Sequence, residues 1–321
     1  MNGPRPVPSG AAEPGAEGPA GPGEAHPLGG AKGARAVSAG DYLTARLRAL
    51  DARLGEVEPR LHEARQDGEA CHDLRVALRR TRTVLEIGGK VLGRFQADEV
   101  RRSLRDLQRA SGVLRDEEVL LAVLASLGVD RPDVAAWMVV RRRREHTWRL
   151  SLTRMVRSGQ LLRGRALLGA LLSFRVDPSR DRRLARFSRR AVERARRDVD
   201  RLRSAALDDR VALHELRIAY KRLRYTVETF AEALPSDVAA LAQGAARFQK
   251  RLGDIHDVDV AFGAVRRART MTEEGRAQVL EALDRLRADH IGAYTRELGA
   301  AAALPPPQAV GTDSLRKIST R

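Results

Sequence analysis

The chain has 321 residues, of which 43% are hydrophobic, so it can bury the core of one large or two ordinary domains without crosslinks. Basic residues outnumber acidic ones by 59 to 42, and the net charge of +17 favours a polyanionic partner. The single cysteine, Cys71, excludes an internal disulfide, and no apolar run approaches the length that spans a membrane. We therefore expect a cytoplasmic protein, with a bacterial cytosol as the working assumption.

The positive charge is almost entirely guanidinium. Only five of the 59 basic residues are lysine, and arginine is suited to a bidentate grip on phosphate or carboxylate. Aromatic residues make up 4% of the chain, which argues against single-stranded nucleic acid, because its binding surfaces usually stack bases on aromatic rings. Nucleic acid is thus a less favoured partner than other polyanions, and the composition alone does not identify which polyanion binds.

The two ends of the chain have the composition of loose segments. Residues 1–40 are rich in Pro, Gly and Ala and have no apolar periodicity, which predicts a disordered leader. Pro305, Pro306 and Pro307 end the last predicted helix, and residues 303–321 are predicted to form a flexible tail. The folded region is therefore expected over residues 41–302.

Apolar residues within this region recur at three- and four-residue spacing, which predicts an all-α fold without strands. In chain order, the predicted helices span about 42–66, 70–92, 97–127, 132–157, 160–174, 183–207, 211–234, 236–269 and 274–302.

The second predicted helix carries the segment HDLRVALRRTR at 72–82, which sorts its side chains by chemistry. At about 100° per residue, a cationic edge and a separate apolar stripe form along it. The cationic edge consists of His72, Arg75, Arg79 and Arg82, and the apolar stripe of Leu74, Ala77, Leu78 and Leu85. Like charges three or four residues apart repel, so we expect something to offset them. Glu86, four residues beyond Arg82, can orient one guanidinium.

The same pattern of a cationic edge beside an apolar stripe recurs 142 positions later, in the segment HELRIAYKRLR at 214–224. Its cationic edge consists of His214, Arg217, Lys221 and Arg224, and Glu228 follows where Glu86 follows in the first copy. A solvated helix face needs no fixed register. The repetition therefore favours a functional surface over an ordinary exposed face.

A further pair of segments repeats at a separation of 141, LQRASGVLRDEEV from Leu107 and FQKRLGDIHDVDV from Phe248. The aligned residues are Gln108, Gly112, Arg115, Asp116 and Glu118 in the first and Gln249, Gly253, His256, Asp257 and Asp259 in the second. The glycines permit close approach of either a neighbouring helix or a ligand. A period this long predicts two helical bundles of about four helices each, at 41–175 and 183–302, related by a pseudo-two-fold internal duplication.

These motifs, HDLRVALRR and HELRIAYKR with their downstream LRD and IHD segments, make residues 41–302 resemble the CHAD domain, a conserved-histidine α-helical domain. The resemblance implies non-enzymatic binding of inorganic polyphosphate along a basic surface or channel, without metal or cofactor. It also makes polyphosphate granules a candidate location within the cytoplasm. The implied polyphosphate contacts are His72, Arg75, Arg79, Arg82, His214, Arg217, Lys221 and Arg224, with Arg115 and His256 as additional candidates.

Other functions remain open at this point. HELR from His214 is similar to the phosphoacceptor box of sensor kinases, which would indicate histidine phosphotransfer. The pairs His72-Asp73 and His256-Asp257 are similar to those of metal-dependent phosphohydrolases. A nucleic-acid-binding helical protein is a third alternative. For the polyphosphate hypothesis we expect His72 and His214 to be neutral beside their guanidiniums and to take up protons when a polyanion binds.

Overall fold

The computed structural model describes residues 38–63 and 67–303, with side chains to residue 300. The first six helices are α1 (Ala39–Glu63), α2 (Gly68–Leu92), α3 (Arg94–Ser103), α4 (Arg105–Ser126), α5 (Pro132–Arg157) and α6 (Gln160–Ser173). They are followed by α7 (Leu184–Leu202), α8 (Arg210–Thr229), α9 (Ser236–Ala239), α10 (Leu241–Arg266) and α11 (Glu273–Ala303). Over the same ranges the chain forms no strand, and one isolated bridge joins Ser38 to Arg183.

The predicted all-α class is confirmed, and two of the predicted helices prove to be pairs. The segment 97–127 is interrupted at Leu104 (φ −90°, ψ −3°) and the segment 236–269 at Ala240 (φ −61°, ψ −21°). Both residues stay close to helical geometry, and neither is Gly or Pro. The apolar periodicity therefore continues across each break between helices, and the sequence does not indicate where the break lies.

Each helix that carries a basic edge begins at an aspartate N-cap. The Asp67 carboxylate accepts a hydrogen bond from the Ala70 N–H (2.8 Å), and the Asp209 carboxylate accepts from Val211 and Ala212 (2.9 and 3.0 Å). The two caps lie five residues before His72 and His214, so they repeat at the same 142-residue separation. A cap satisfies amide groups that the first turn leaves unpaired, and it thereby fixes where the basic edge starts.

The apolar core consists of three clusters. The first is built mainly from α1 to α6 around residues such as Leu74, and the second from α7, α8, α10 and α11 around residues such as Leu216. The third joins α4 and α5 to α10 and α11 through Trp137, Phe262 and Leu283. The early and late parts of the chain therefore share one apolar cluster and are not separate units.

The four helices that carry the repeated segments are neighbours. Helix α2 packs against α4 and α8, and α10 packs against the same two helices, so α2, α4, α10 and α8 follow one another around a closed circuit. The pseudo-two-fold relation and the halves 41–175 and 183–302 stay predictions.

Helix α1 begins at Ala39, two residues before the predicted folded region, and the Ala39 backbone N–H donates to the Arg182 carbonyl (2.8 Å). The predictions for residues 1–37 and 304–321 lie outside the described residues.

We expect Asp209→Ala to lower the free energy of unfolding by about 1 kcal/mol, because two amide groups at the start of α8 lose their acceptor. Urea unfolding followed by circular dichroism measures this. Asp208→Ala removes the same charge one position earlier, from an exposed side chain, and serves as the control. Equal stability of the two variants would contradict the capping role.

Candidate functional site

Arg217 occupies the middle of the basic edge of α8 and lies against α10. A Cβ built on Gly253 of α10 would stand 3.7 Å from the Arg217 Nε. This Nε is buried and has no hydrogen-bond partner in the part of the chain that the structure describes. A desolvated N–H donor without an acceptor is energetically unfavourable, so an acceptor that reached this Nε would remove that cost.

Asp116, on α4, is an exposed residue, and cations from two other helices act on its carboxylate. Loss of hydration raises its pKa, and this effect outweighs the charges of Arg217, Arg75 and Lys221, which lower the pKa. Arg115 on the same helix lowers it as well. Such interactions weaken with distance and with intervening water, so these four side chains converge on one region of the circuit.

Asp257 faces the same region from α10. Burial raises the pKa of its carboxyl group to about 6, against the lowering effect of Arg217 and Arg115. The negative charge of Asp116 also raises the pKa of Asp257, so the two acids are near each other. We use the name central cluster for Arg75, Arg115, Asp116, His214, Arg217, Lys221, His256 and Asp257, which come from α2, α4, α8 and α10.

Two histidines of the central cluster are in direct contact. The Nδ1 atoms of His214 and His256 are 3.3 Å apart, and the ring centroids are 4.5 Å apart. One Nδ1 can donate to the other only if the accepting ring is neutral. Burial, followed by the Arg217 charge and then the contact with His214, lowers the pKa of His256 to about 4.

The pKa of His214 is also lowered, first by burial and second by the charge of Arg217. The direction agrees with the expectation from the sequence, although burial contributes more than the neighbouring cations. His72, the matching residue of the first copy, is exposed on α2. The residue aligned with His256 is Arg115, which forms an ion pair with Glu118 at 3.6 Å. The two copies therefore present different chemistry at corresponding positions.

Arg79 and Arg224 meet where α2 and α8 pack together. Their guanidinium carbons lie 4.8 and 5.6 Å from the ring centroid of Tyr225. Arg224 is only 9% exposed, and its Nε donates to the Glu228 carboxylate at 2.6 Å. Glu228 thus orients Arg224 as the spacing indicates. Arg224 is embedded in the packing of α8 rather than in the central cluster.

Arg82, the last residue of the first basic edge, faces α3. It lines a pocket of about 290 Å³ together with Asp98, Arg101, Arg102 and Arg105. Its expected partner Glu86 instead pairs with Arg222 of α8 and lies 4.0 Å from Arg101. The difference arises because the last turns of α2 pack beside α8, where the Arg222 guanidinium reaches the carboxylate. Arg82 is therefore separate from the central cluster.

The glycines of the repeated segments leave space beside the cluster. A Cβ on Gly112 would meet nothing within 4 Å, and one on Gly253 would meet only Arg217. Helix packing therefore does not require glycine at either position. Of the two readings that the sequence left open, an approach by a ligand is the one that this space favours.

Sequence reasoning missed two features of this region. One is the pair of aspartate caps, which their 142-residue separation could have revealed. The other is the contact between His214 and His256, for which the sequence gives no signal because it depends on how α8 packs against α10. Among the described residues, no three His, Cys, Asp or Glu side chains are grouped so that they could hold a metal ion. No helix in those ranges has the length and apolar character needed to cross a membrane.

Comparisons with known proteins agree on the fold. A sequence model of the CHAD domain matches residues 42–266. The crystal structure of the CHAD domain from the plant Ricinus communis superimposes with a TM-score of 0.58 at 22% identity, covering 87% of this chain and 90% of that chain. PptA from Streptomyces chartreusis superimposes with a TM-score of 0.62 at 16% identity, covering 83% of this chain and 100% of that chain. The comparison with curated proteins gives no match.

We expect His256 to stay neutral well below pH 6, because burial and the Arg217 charge both disfavour its imidazolium form. Titration of the ring by NMR should give a pKa of about 4 for His256, and Arg217→Gln should raise it. A pKa near the ordinary histidine value that does not change in the variant would contradict the described geometry.

Proposed function

Because the chain belongs to the CHAD domain family, whose sequence model matches residues 42–266, we propose that it binds inorganic polyphosphate at the central cluster and does not act as an enzyme. The observation that carries this proposal is the closed circuit of α2, α4, α10 and α8, within which the charges of Arg75, Arg217 and Lys221 all act on the Asp116 carboxylate. A polymer that presents a negative charge at each repeat matches such a surface.

The proposed mechanism is multivalent and needs no metal or cofactor. Each guanidinium donates charge-assisted hydrogen bonds to phosphate oxygens, and the bound counterions of the polymer are released, as they are when proteins bind nucleic acid backbones. The unpartnered Nε of Arg217 offers a desolvated donor that gains an acceptor on binding. Affinity then comes from many modest contacts rather than from one deep pocket.

Asp116 and Asp257 have a role of their own in this proposal. Without ligand, their carboxylates reduce the repulsion among the neighbouring cations. When polyphosphate binds, its negative charge raises the pKa of both acids and of both histidines. The Asp257 carboxyl, with a pKa already raised to about 6, is well placed to take up a proton. The polymer is the proposed partner, and the proposed location is the cytoplasm, where polyphosphate granules would concentrate the protein.

We expect Arg75→Gln combined with Arg217→Gln to weaken binding of long-chain polyphosphate and to reduce the slope of log affinity against log salt concentration by about one to two units. Filter binding at a series of salt concentrations measures both quantities.

The matched control is Arg142→Gln combined with Arg285→Gln, which removes the same charge from exposed positions on α5 and α11. If both double variants change the slope equally, binding responds to net charge alone and the central cluster is not the site. Competition with duplex DNA at equal salt tests the nucleic-acid alternative, since preference for DNA would overturn the polyphosphate proposal.

Polyphosphate affinity should rise as pH falls from 8 to 6. A group whose pKa is raised by binding takes up a proton in the complex, so lower pH favours the complex until the free protein is itself protonated. His214→Gln with His256→Gln should flatten this dependence and leave most arginine-based affinity. Asp257→Asn should raise affinity at pH 8, because it removes a charge that repels the polymer. A pH-independent affinity in the wild-type protein would contradict the proton uptake.

Catalysis is tested by incubating the protein with radiolabelled polyphosphate and with labelled ATP, with and without divalent metal. The proposal predicts intact polymer and unlabelled protein. Phosphohistidine at His214, or metal-dependent release of phosphate that His214→Gln abolishes, would instead establish the phosphotransfer or phosphohydrolase alternative.

A further inference from the structure

A second basic pocket lies on helix α7, beside the last turns of α2 and the middle of α8. It has a volume of about 510 Å³, within the range of pockets that hold small molecules. Its lining comes from residues 86–91, 179–198 and 222–226, none of which belongs to the central cluster.

Helix α7 presents two parallel rows of side chains to this pocket. Arg186, Arg190 and Arg194 form the first row at four-residue spacing, and Phe187 and Ala191 belong to the adjacent row. The opposite wall is also apolar at Ile87 and Val91 of α2, where Lys90 adds a further cation. The pocket therefore combines an apolar floor with a cationic rim.

Four of the cations that line this pocket have no ion-pair partner among the described residues, whereas Arg180 pairs with Asp177, and Arg182 donates to the backbone carbonyls of Ser179 and Asp181. Lys90, Arg186, Arg190 and Arg194 form no ion pair with any residue in 38–63 or 67–303, and the last three repel one another along α7. The two carboxylates of the pocket, Glu86 and Asp198, are both already paired with Arg222. An anion from outside the chain would relieve this repulsion.

The apolar floor distinguishes this pocket from the central cluster. A bare polyphosphate chain has no group that could fill the space beside Ile87, Phe187 and Ala191. Phe187 is half-buried and holds an edge-to-face contact with Phe230 (centroids 5.9 Å apart), so its position is fixed by the core. A flat apolar ring can pack on such a floor while attached phosphates reach the arginines.

We propose that this pocket binds a nucleotide, with the base on the floor formed by Phe187 and Ala191 and the phosphates against Arg190 and Arg194. The ligand class follows from the pairing of a planar apolar surface with several unneutralised guanidiniums. This site is independent of the proposed polyphosphate site, so a nucleotide could be bound together with the polymer.

Isothermal titration calorimetry of the full chain with ATP and with tripolyphosphate tests the proposal. We expect ATP to bind at least tenfold more tightly than tripolyphosphate in the Arg75→Gln, Arg217→Gln background, where the central cluster is weakened. Arg190→Gln with Arg194→Gln should lower ATP affinity at least tenfold. Arg196→Gln with Arg203→Gln, which removes equal charge from side chains that pair with Asp200, should leave ATP affinity unchanged.

Phe187→Leu tests the role of the ring, since it keeps an apolar side chain at the core contact with Phe230. It should weaken ATP binding several-fold and leave tripolyphosphate binding unchanged, with an unaltered circular dichroism spectrum as the check on folding. Equal affinity for ATP and tripolyphosphate, or unchanged ATP affinity in the Arg190, Arg194 variant, would overturn the proposal. The variant Arg190→Gln with Arg194→Gln should bind long-chain polyphosphate as tightly as the wild type in filter binding. This result distinguishes a failure of the nucleotide proposal from a failure of the polyphosphate proposal.

Discussion

The concentration of positive charge between α2, α4, α8 and α10 is the constraint on which the rest of this structure depends. Basic edges on α2 and α8 place guanidiniums at three- and four-residue spacing, and the packing of α4 and α10 then adds Arg115 to the same region. Asp116 and Asp257 are two acids on which this charge acts, and partial loss of hydration raises the pKa of both. A carboxylate with a raised pKa takes up a proton more readily when further negative charge approaches it. In the proposed function, a bound polyanion completes this balance of charge.

The rest of the fold holds these side chains in place. Aspartate caps at Asp67 and Asp209 set the start of the two motif helices, and the apolar cluster shared by α4, α5, α10 and α11 keeps the circuit of four helices closed. Tyr225 lies under the guanidiniums of Arg79 and Arg224, which are thereby tied to the contact between α2 and α8. Rigid placement reduces the entropy that the side chains lose on binding.

The sequence predicts the elements of this arrangement better than their assembly. Apolar periodicity indicates the helices, and the 142-residue separation identifies α2 and α8 as matching parts. The apolar periodicity does not reveal the helix breaks at Leu104 and Ala240, because both residues remain near helical geometry. The partners of Arg224 and His256 depend on how the helices pack. Arg224 lies on the same edge as Arg217 in the sequence pattern, yet it is buried and paired with Glu228. His256 lies on a different helix from His214, and the two rings are in contact. Spacing along one helix cannot reveal such contacts between helices.

The central claim is that the region between α2, α4, α8 and α10 is where the polymer binds. A crystal structure of the protein with a polyphosphate of about ten phosphates tests it most directly. The account predicts a chain of phosphate density in contact with Arg75, Arg217 and Lys221, with the His214 and His256 rings beside it. Ordered phosphates found only elsewhere on the surface, with the central cluster unchanged, would contradict it.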